Sequence, residues 1–360
     1  MIAANSPVPR PADARLLVID GDGHVSQAPR ARWLDFLERG DLVVANDAAT
    51  LPASLAGMHG ASGAPIELRL AAWRSPMFRS SPEMDAVVFG AGDYRTRTED
   101  RALPPRLQVG DALVFGSLRA TVTRILAPGR FVRVRFDMPL ADFWRELAGH
   151  GKPIQYAHMR EPLALWDVWT TVAAMPVAFE PPSAGFLLDW RNLASLPARG
   201  IRFATLTHAA GLSSTGDRDL DHRLPLDEWY RIPESTAKAI RRALLDGGKV
   251  IAIGTTVVRA LEHAARHGDE VASGEGVATG RIDASTRLRI VDAVLTGTHE
   301  RGSSHHELLR AFASDRALTT GQDALDRHAY RTHEFGDSML VFRRRMRARA
   351  RNERALPSAA

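Results

Sequence analysis

Apolar and polar positions follow two different rhythms along this chain. In the first, short uninterrupted apolar runs alternate with helix-spaced apolar residues, the pattern of parallel strands buried on both faces and joined by helices. Residues 15–20, 42–45, 201–206, 250–254 and 289–295 read as such strands. Trp33, Leu34, Phe36 and Leu37 have helical spacing, with Gly40 as the expected C-cap. Residues 141–147, 233–245 and 305–312 read as further helices; the second has Pro233 at its start and Gly247-Gly248 beyond its end. Gly21-Asp22-Gly23 predicts a turn, and residues 212–223, rich in Gly, Ser and Asp, predict a surface loop. Residues 330–342 end the core, with a turn at Phe335-Gly336-Asp337-Ser338 before a last strand.

The second rhythm occupies residues 57–137. Short alternating runs at 66–70, 86–89, 112–115, 121–125 and 131–136 are punctuated by Gly and Pro, as in a small barrel or sandwich. In Phe-Val-Arg-Val-Arg-Phe, from Phe131, Arg alternates with apolar residues, so one face is expected to be buried and the other basic. The predicted fold is an α/β catalytic domain in two parts, 1–56 and 138–342, interrupted by an inserted all-β barrel domain, 57–137. A basic tail, 343–360, follows.

Composition narrows the chemistry. The chain has no cysteine, which excludes disulfides, thiolate metal sites and thiol nucleophiles. No apolar run approaches the ~18 residues of a membrane span, and the Pro-rich start lacks an apolar signal core, so a cytoplasmic protein without a membrane partner is expected. The net charge of +5 is unevenly placed. Residues 343–354 carry seven Arg and one Glu, and residues 57–137 carry twelve Arg and no Lys against eight acidic residues. Clustered guanidinium suits phosphate; for the tail alone, a solvated surface is the simpler reading.

Candidate chemistry gathers where strands end. Asn46, Asp47, Thr207, His208, Thr255, Thr256, Thr298 and His299 all follow predicted buried strands. If those strands are parallel neighbours, these residues share the edge at which open α/β sheets bind ligands. Gly254-Thr255-Thr256 offers N–H groups and hydroxyls there, and Arg259, one helical turn on, is placed to face the same crevice. Ser183 and Gly185 lie in a rigid Pro-Pro-Ser-Ala-Gly loop, and Tyr156, His158 and Arg160 lie in a Pro-bounded one. No metal is expected: His305 and His306 point to two faces of a helix, poor ligand geometry beside His299.

Four runs resemble one family: Gly-Asp-Leu-Val-Val-Ala-Asn-Asp from Gly40, Leu-Pro-Ala-Ser-Leu from Leu51, Gly-Gly-Lys-Val-Ile-Ala-Ile-Gly-Thr-Thr-Val-Val-Arg-Ala-Leu-Glu from Gly247, and Phe-Gly-Asp-Ser-Met-Leu-Val from Phe335. Arg-Ile-Val-Asp-Ala-Val-Leu-Thr-Gly-Thr-His, from Arg289, keeps the same family's order and terminal His. The family is the S-adenosylmethionine:tRNA ribosyltransferase-isomerases of queuosine synthesis, and the resemblance spans about residues 2–342. It implies S-adenosylmethionine as ribosyl donor rather than cofactor, a tRNA partner, no metal, and conversion of a 7-aminomethyl-7-deazaguanine to epoxyqueuosine. On this basis Asp47, His208 and His299 are the catalytic candidates. Asn46, Ser183, Gly185, Thr207, Gly254, Thr255, Thr256, Arg259 and Asp337 are the substrate-binding ones. A monomer is expected.

The chain departs from the family pattern in places. Leu187 stands where the family loop has His, Ala49 where an Arg is expected, and Leu224 to Glu228 keep the Glu of a Met-His-Ser-Glu motif without its His. It therefore reads as a divergent member. Two other functions stay open at this point: S-adenosylmethionine used on a non-tRNA acceptor, or a tRNA-binding protein without turnover.

Overall fold

A computed structural model describes residues 1–73, 82–266, 268 and 270–344. Most of the tail expected at 343–360, and Arg74 and Arg79 of the basic segment, lie outside the described residues.

The architecture is α/β with a closed barrel. A nine-stranded sheet runs Gly274–Ala278, Glu228–Ile232, Arg202–His208, Leu42–Asn46, Val250–Ile253, Ala293–Gly297, Ser338–Phe342, Arg15–Ile19 and Val25–Pro29. Its four central strands, Arg202–His208 to Ala293–Gly297, are mutually parallel. The period-two rule sorts their side chains. Leu42, Val44, Val250 and Ala252 pack with the helices Glu234–Leu245 and Thr255–Ala264. Val43, Ala45, Ile251 and Ile253 pack on the opposite face with Trp33, Leu187 and Leu196. Burial on both faces is why these strands are continuous apolar runs.

The barrel closes through six strands in the order Leu118–Ala127, Phe131–Phe136, Glu83–Phe89, Pro65–Trp73, Ser54–His59 and Ala112–Phe115. Its first strand starts at Ser54, three residues ahead of the expected opening. Gly57 makes closure possible: a Cβ there would lie 2.1 Å from the Val114 carbonyl oxygen, so only Gly admits that strand. The face expected to be basic is partly neutralised, since Arg133 pairs with Asp85 at 2.8 Å. The barrel is stitched to the sheet domain by the parallel pair Ala48–Thr50 and Met175–Ala178 and by the Trp73 indole N–H, which donates to Val177 O at 2.7 Å.

Three local expectations are corrected. The helix expected around Trp33 is a 3₁₀ turn, Arg30–Phe36, ended by extended Leu37; Gly40 serves a separate turn at φ 96°. A run this short does not overcome α-helix nucleation and closes with i→i+3 bonds. The strand expected from Arg289 begins at Ala293. The Glu262 carboxylate accepts the N–H groups of Arg289, Ile290 and Val291 at 2.7, 3.0 and 2.9 Å, so those residues have no donors left for a ladder. Residues 212–223 are not a surface loop throughout: Leu212, Thr215 and Leu220 are buried, and the two leucines join the barrel core.

Candidate functional site

Parallel neighbours put their carboxyl ends on one edge, and Asn46 is the hub of that edge. Its side-chain oxygen accepts the His208 N–H at 2.9 Å and the Ala48 N–H at 3.0 Å. Its amide donates to the His208 carbonyl at 2.9 Å and lies 3.4 Å from Thr256 Oγ1. Three strand ends are thus joined by one buried amide. Gly254 turns the chain from strand to helix at φ 96°, where a Cβ would also sit 3.3 Å from that of Ala184. Any other residue would strain this turn and push back the 3₁₀ segment Ser183–Leu187. The helix Thr255–Ala264 therefore begins at the rim, its first N–H groups directed to it. Thr255 is buried and Thr256 half-buried.

His208 is fully buried beside Asn46, and neither ring nitrogen has a hydrogen-bond partner among the described residues. Its Nε2 lies 3.5 Å from Glu228 Oε2, outside a hydrogen bond. Burial, and then the charge of Arg259, push its pKa well below the ordinary value, so the imidazole is neutral. His299, at the end of the Ala293–Gly297 strand, is likewise held well down by burial and by His305, His306 and His333. Its Nε2 meets Thr296 Oγ1 at 2.7 Å, and its ring lies 4.7 Å from that of His305.

Several candidates reach the rim with their groups already engaged. The guanidinium of Arg259, expected to face the crevice, is buried and paired with Glu228, and it donates to the carbonyls of Leu226, Ala278 and Gly280. Burial lowers its pKa to about 10, so it stays charged. Asp47 accepts the hydroxyls of Thr205 and Thr207 at 2.7 and 2.6 Å, which makes Thr207 a support for Asp47. Asp337 accepts the backbone N–H groups of Arg15 and Arg331, both at 2.8 Å, and the Arg15 guanidinium at 2.9 Å. Burial alone would raise its pKa; those donors hold it below the usual carboxylate range. Gly185 packs on Thr170, where a Cβ would come within 3.0 Å of Cγ2. Ser183, Leu187, Gly297, His333, Glu334 and Asp337 are among the residues lining one cavity beside the rim. Thr298 is engaged by the Arg331 carbonyl at 2.7 Å.

Sequence reasoning missed a second polar group: His333 and Glu334, which line this cavity, with His158, Tyr156 and Glu180 next to them. Tyr156 and His158 stood out only as part of a loop, and nothing in the spacing joins them to His333. It also missed Glu228, which accepts the Gly211 N–H at 2.6 Å while holding Arg259. Donor atoms of His158, His333 and Glu334 lie within 4.8 Å of one another. The two rings are stacked 4.2 Å apart at 13°, so their in-plane lone pairs run nearly parallel and do not converge on one ion.

Fold and rim together define an α/β protein with polar groups gathered at the carboxyl edge of a parallel sheet, the edge where open α/β sheets bind ligands, and a barrel inserted beside it. The family is given by comparison with known proteins. The chain belongs to the queuosine biosynthesis protein family, whose model matches residues 1–341. An S-adenosylmethionine:tRNA ribosyltransferase-isomerase of Gloeobacter violaceus is 33% identical over 340 residues, covering 91% of this chain and 89% of that protein. One of the same name from Anaeromyxobacter dehalogenans is 33% identical over 95% of this chain and 96% of its own. The crystal structure of an S-adenosylmethionine tRNA ribosyltransferase from Thermotoga maritima aligns over 94% of this chain and 95% of that one, at 23% identity and a TM-score of 0.49.

Proposed function

We propose that this protein transfers the ribosyl group of S-adenosylmethionine to the aminomethyl nitrogen of a 7-deazaguanine in tRNA and isomerises it to the epoxy-cyclopentane of epoxyqueuosine. The observation that carries the reading is the family match over nearly the whole chain. The cleft suits the chemistry. A sulfonium acidifies the neighbouring C5′ hydrogens, so a neutral base is needed close by. His208, buried, and His299, half-buried, are neutral and at the rim. The Asn46–Thr256 pair and the first N–H groups of the helix Thr255–Ala264 are the groups for ribose hydroxyls. Burial removes competing water and strengthens these contacts.

The acceptor in this reading is tRNA, the protein acts as a monomer in the cytoplasm, and no step needs a bound metal. No described helix is long and apolar enough to cross a membrane.

The test is product analysis with S-adenosylmethionine and a tRNA carrying the aminomethyl base. Released adenine with ribosylated tRNA is the expected outcome. Adenine formed only with a free deazapurine would move the acceptor from tRNA to a small molecule. Salt-sensitive tRNA binding without adenine would make the protein a binder and refute the enzymatic reading.

A further inference from the structure

Next to the cavity at the rim, His158 packs against His333 and Glu334, two of the residues that line it. His158 comes from the loop between the helix Leu140–His150 and the 3₁₀ turn Leu165–Val168; His333 and Glu334 come from the turn between the strands Arg331–Thr332 and Ser338–Phe342. Glu334 Oε2 lies 3.4 Å from His158 Nε2. Both atoms are buried and neither has a hydrogen-bond partner among the described residues, as is true of the nearby Tyr156 hydroxyl. Buried polar atoms left without a hydrogen bond are rare in folded proteins, so each calls for an explanation.

The backbone is also committed to the arrangement. His333 adopts φ 68°, a left-handed conformation that side-chain-bearing residues rarely take. That conformation accompanies the stacking of its ring on His158, which stacks in turn on Tyr156 at 5.5 Å. The cavity is lined by His333 and Glu334 together with Ser183, Leu187 and Gly297, the last ending the strand that leads to His299.

We propose that His158, His333 and Glu334 are a proton-transfer site of the ribosyl transfer, resting on the function proposed above. The acceptor's amine loses a proton as its nitrogen forms the new C–N bond. The purine gains one as its glycosidic bond breaks and the electron pair leaves with it. One proton therefore has to travel from amine to purine, with no change of oxidation state. A carboxylate beside two stacked imidazoles accepts that proton and returns it, so no external acid or base is consumed. Tyr156, Glu180, His299, Glu300 and His305 are its titratable neighbours. Burial, and then Glu334, push the Glu180 pKa up to about 7, with Ser213 partly offsetting this, so part of this second carboxyl is uncharged near neutrality.

The test measures S-adenosylmethionine affinity and single-turnover adenine release against pH for the unaltered protein, Glu334→Gln and His158→Phe. The glutamine keeps the shape, and the phenylalanine keeps the stacked ring. Expected is affinity within about threefold of the unaltered protein and adenine release reduced by about 10²–10⁴-fold in Glu334→Gln, with a pH limb of the rate profile lost. Release within threefold of the unaltered rate in both variants, with the same pH profile, overturns the assignment even if the parent reading stands. If Glu334→Gln does not fold, His158→Phe decides by the same criteria. No adenine from the unaltered protein with either acceptor overturns the parent reading and this site with it.

Discussion

Glu228→Gln should cost this protein far more stability than the loss of one charge suggests. Glu228 and Arg259 are 7% and 6% exposed, and the carboxylate is the acid paired with that guanidinium. Glutamine can still accept the Gly211 N–H, which lies 2.6 Å from Oε1. Its amide NH₂, however, would face the guanidinium donor to donor, and Arg259 would keep three backbone carbonyls and the more distant charge of Asp227 but lose its hydrogen-bonded counter-charge. Breaking a buried pair in this way costs about 3–5 kcal/mol, because the surviving charge has lost its close partner. Arg259→Met beside Glu228→Gln removes that charge as well, and the double variant should recover about 1–3 kcal/mol relative to the sum of the single effects. Urea unfolding followed by tryptophan fluorescence measures all three. A loss below about 1 kcal/mol in Glu228→Gln, with simple additivity in the double variant, would refute the claim that this pair is held out of water.

Four further outcomes follow from the same geometry. Thr256→Val and His299→Ala should each abolish adenine release with unfolding midpoints unchanged; undiminished turnover in both would remove them from the site. Glu180 has its pKa raised from 4.5 to about 7, so the folded state binds the extra proton between those values and stability falls as pH rises through that window. Relative to Glu180→Gln, the unaltered protein should lose about 3 kcal/mol between pH 4 and 8; parallel pH curves would contradict this. Asp337→Asn should destabilise by about 2–3 kcal/mol, read by thermal unfolding, since charge-assisted bonds to Arg15 and Arg331 weaken together. Truncation should start after Arg344, because Arg343 donates to Asp292 at 2.8 Å. Removing residues 345–360, with five Arg, should weaken tRNA binding at low salt and flatten its salt dependence; equal binding at all salt concentrations would exclude the tail.

What was legible in the chain was whatever local pattern encodes. Val250–Ile253 and Leu42–Asn46 are buried on both faces, so their apolar runs identify them, and parallel pairing then brings Asn46, His208, Thr256 and His299 to one edge. The barrel was visible because Gly and Pro punctuate short alternating strands. What stayed hidden depends on partners distant in sequence. Nothing around Arg289 reveals that the Glu262 carboxylate will take its N–H and postpone the strand to Ala293. Arg259 has the right helical position for the crevice, but only the fold shows Glu228 occupying it. The stack of His158 on His333 goes with a left-handed backbone at His333, which composition and periodicity do not signal.

Titration of S-adenosylmethionine into the full-length protein and into Asn46→Ala, by calorimetry, tests the rim most directly. Asn46 joins the strand ends of His208 and Thr256. The account predicts one site per chain in the unaltered protein and an affinity at least about tenfold weaker in the variant, a difference of about 1.4 kcal/mol. Equal affinity in the two proteins, or no binding to either, would contradict it.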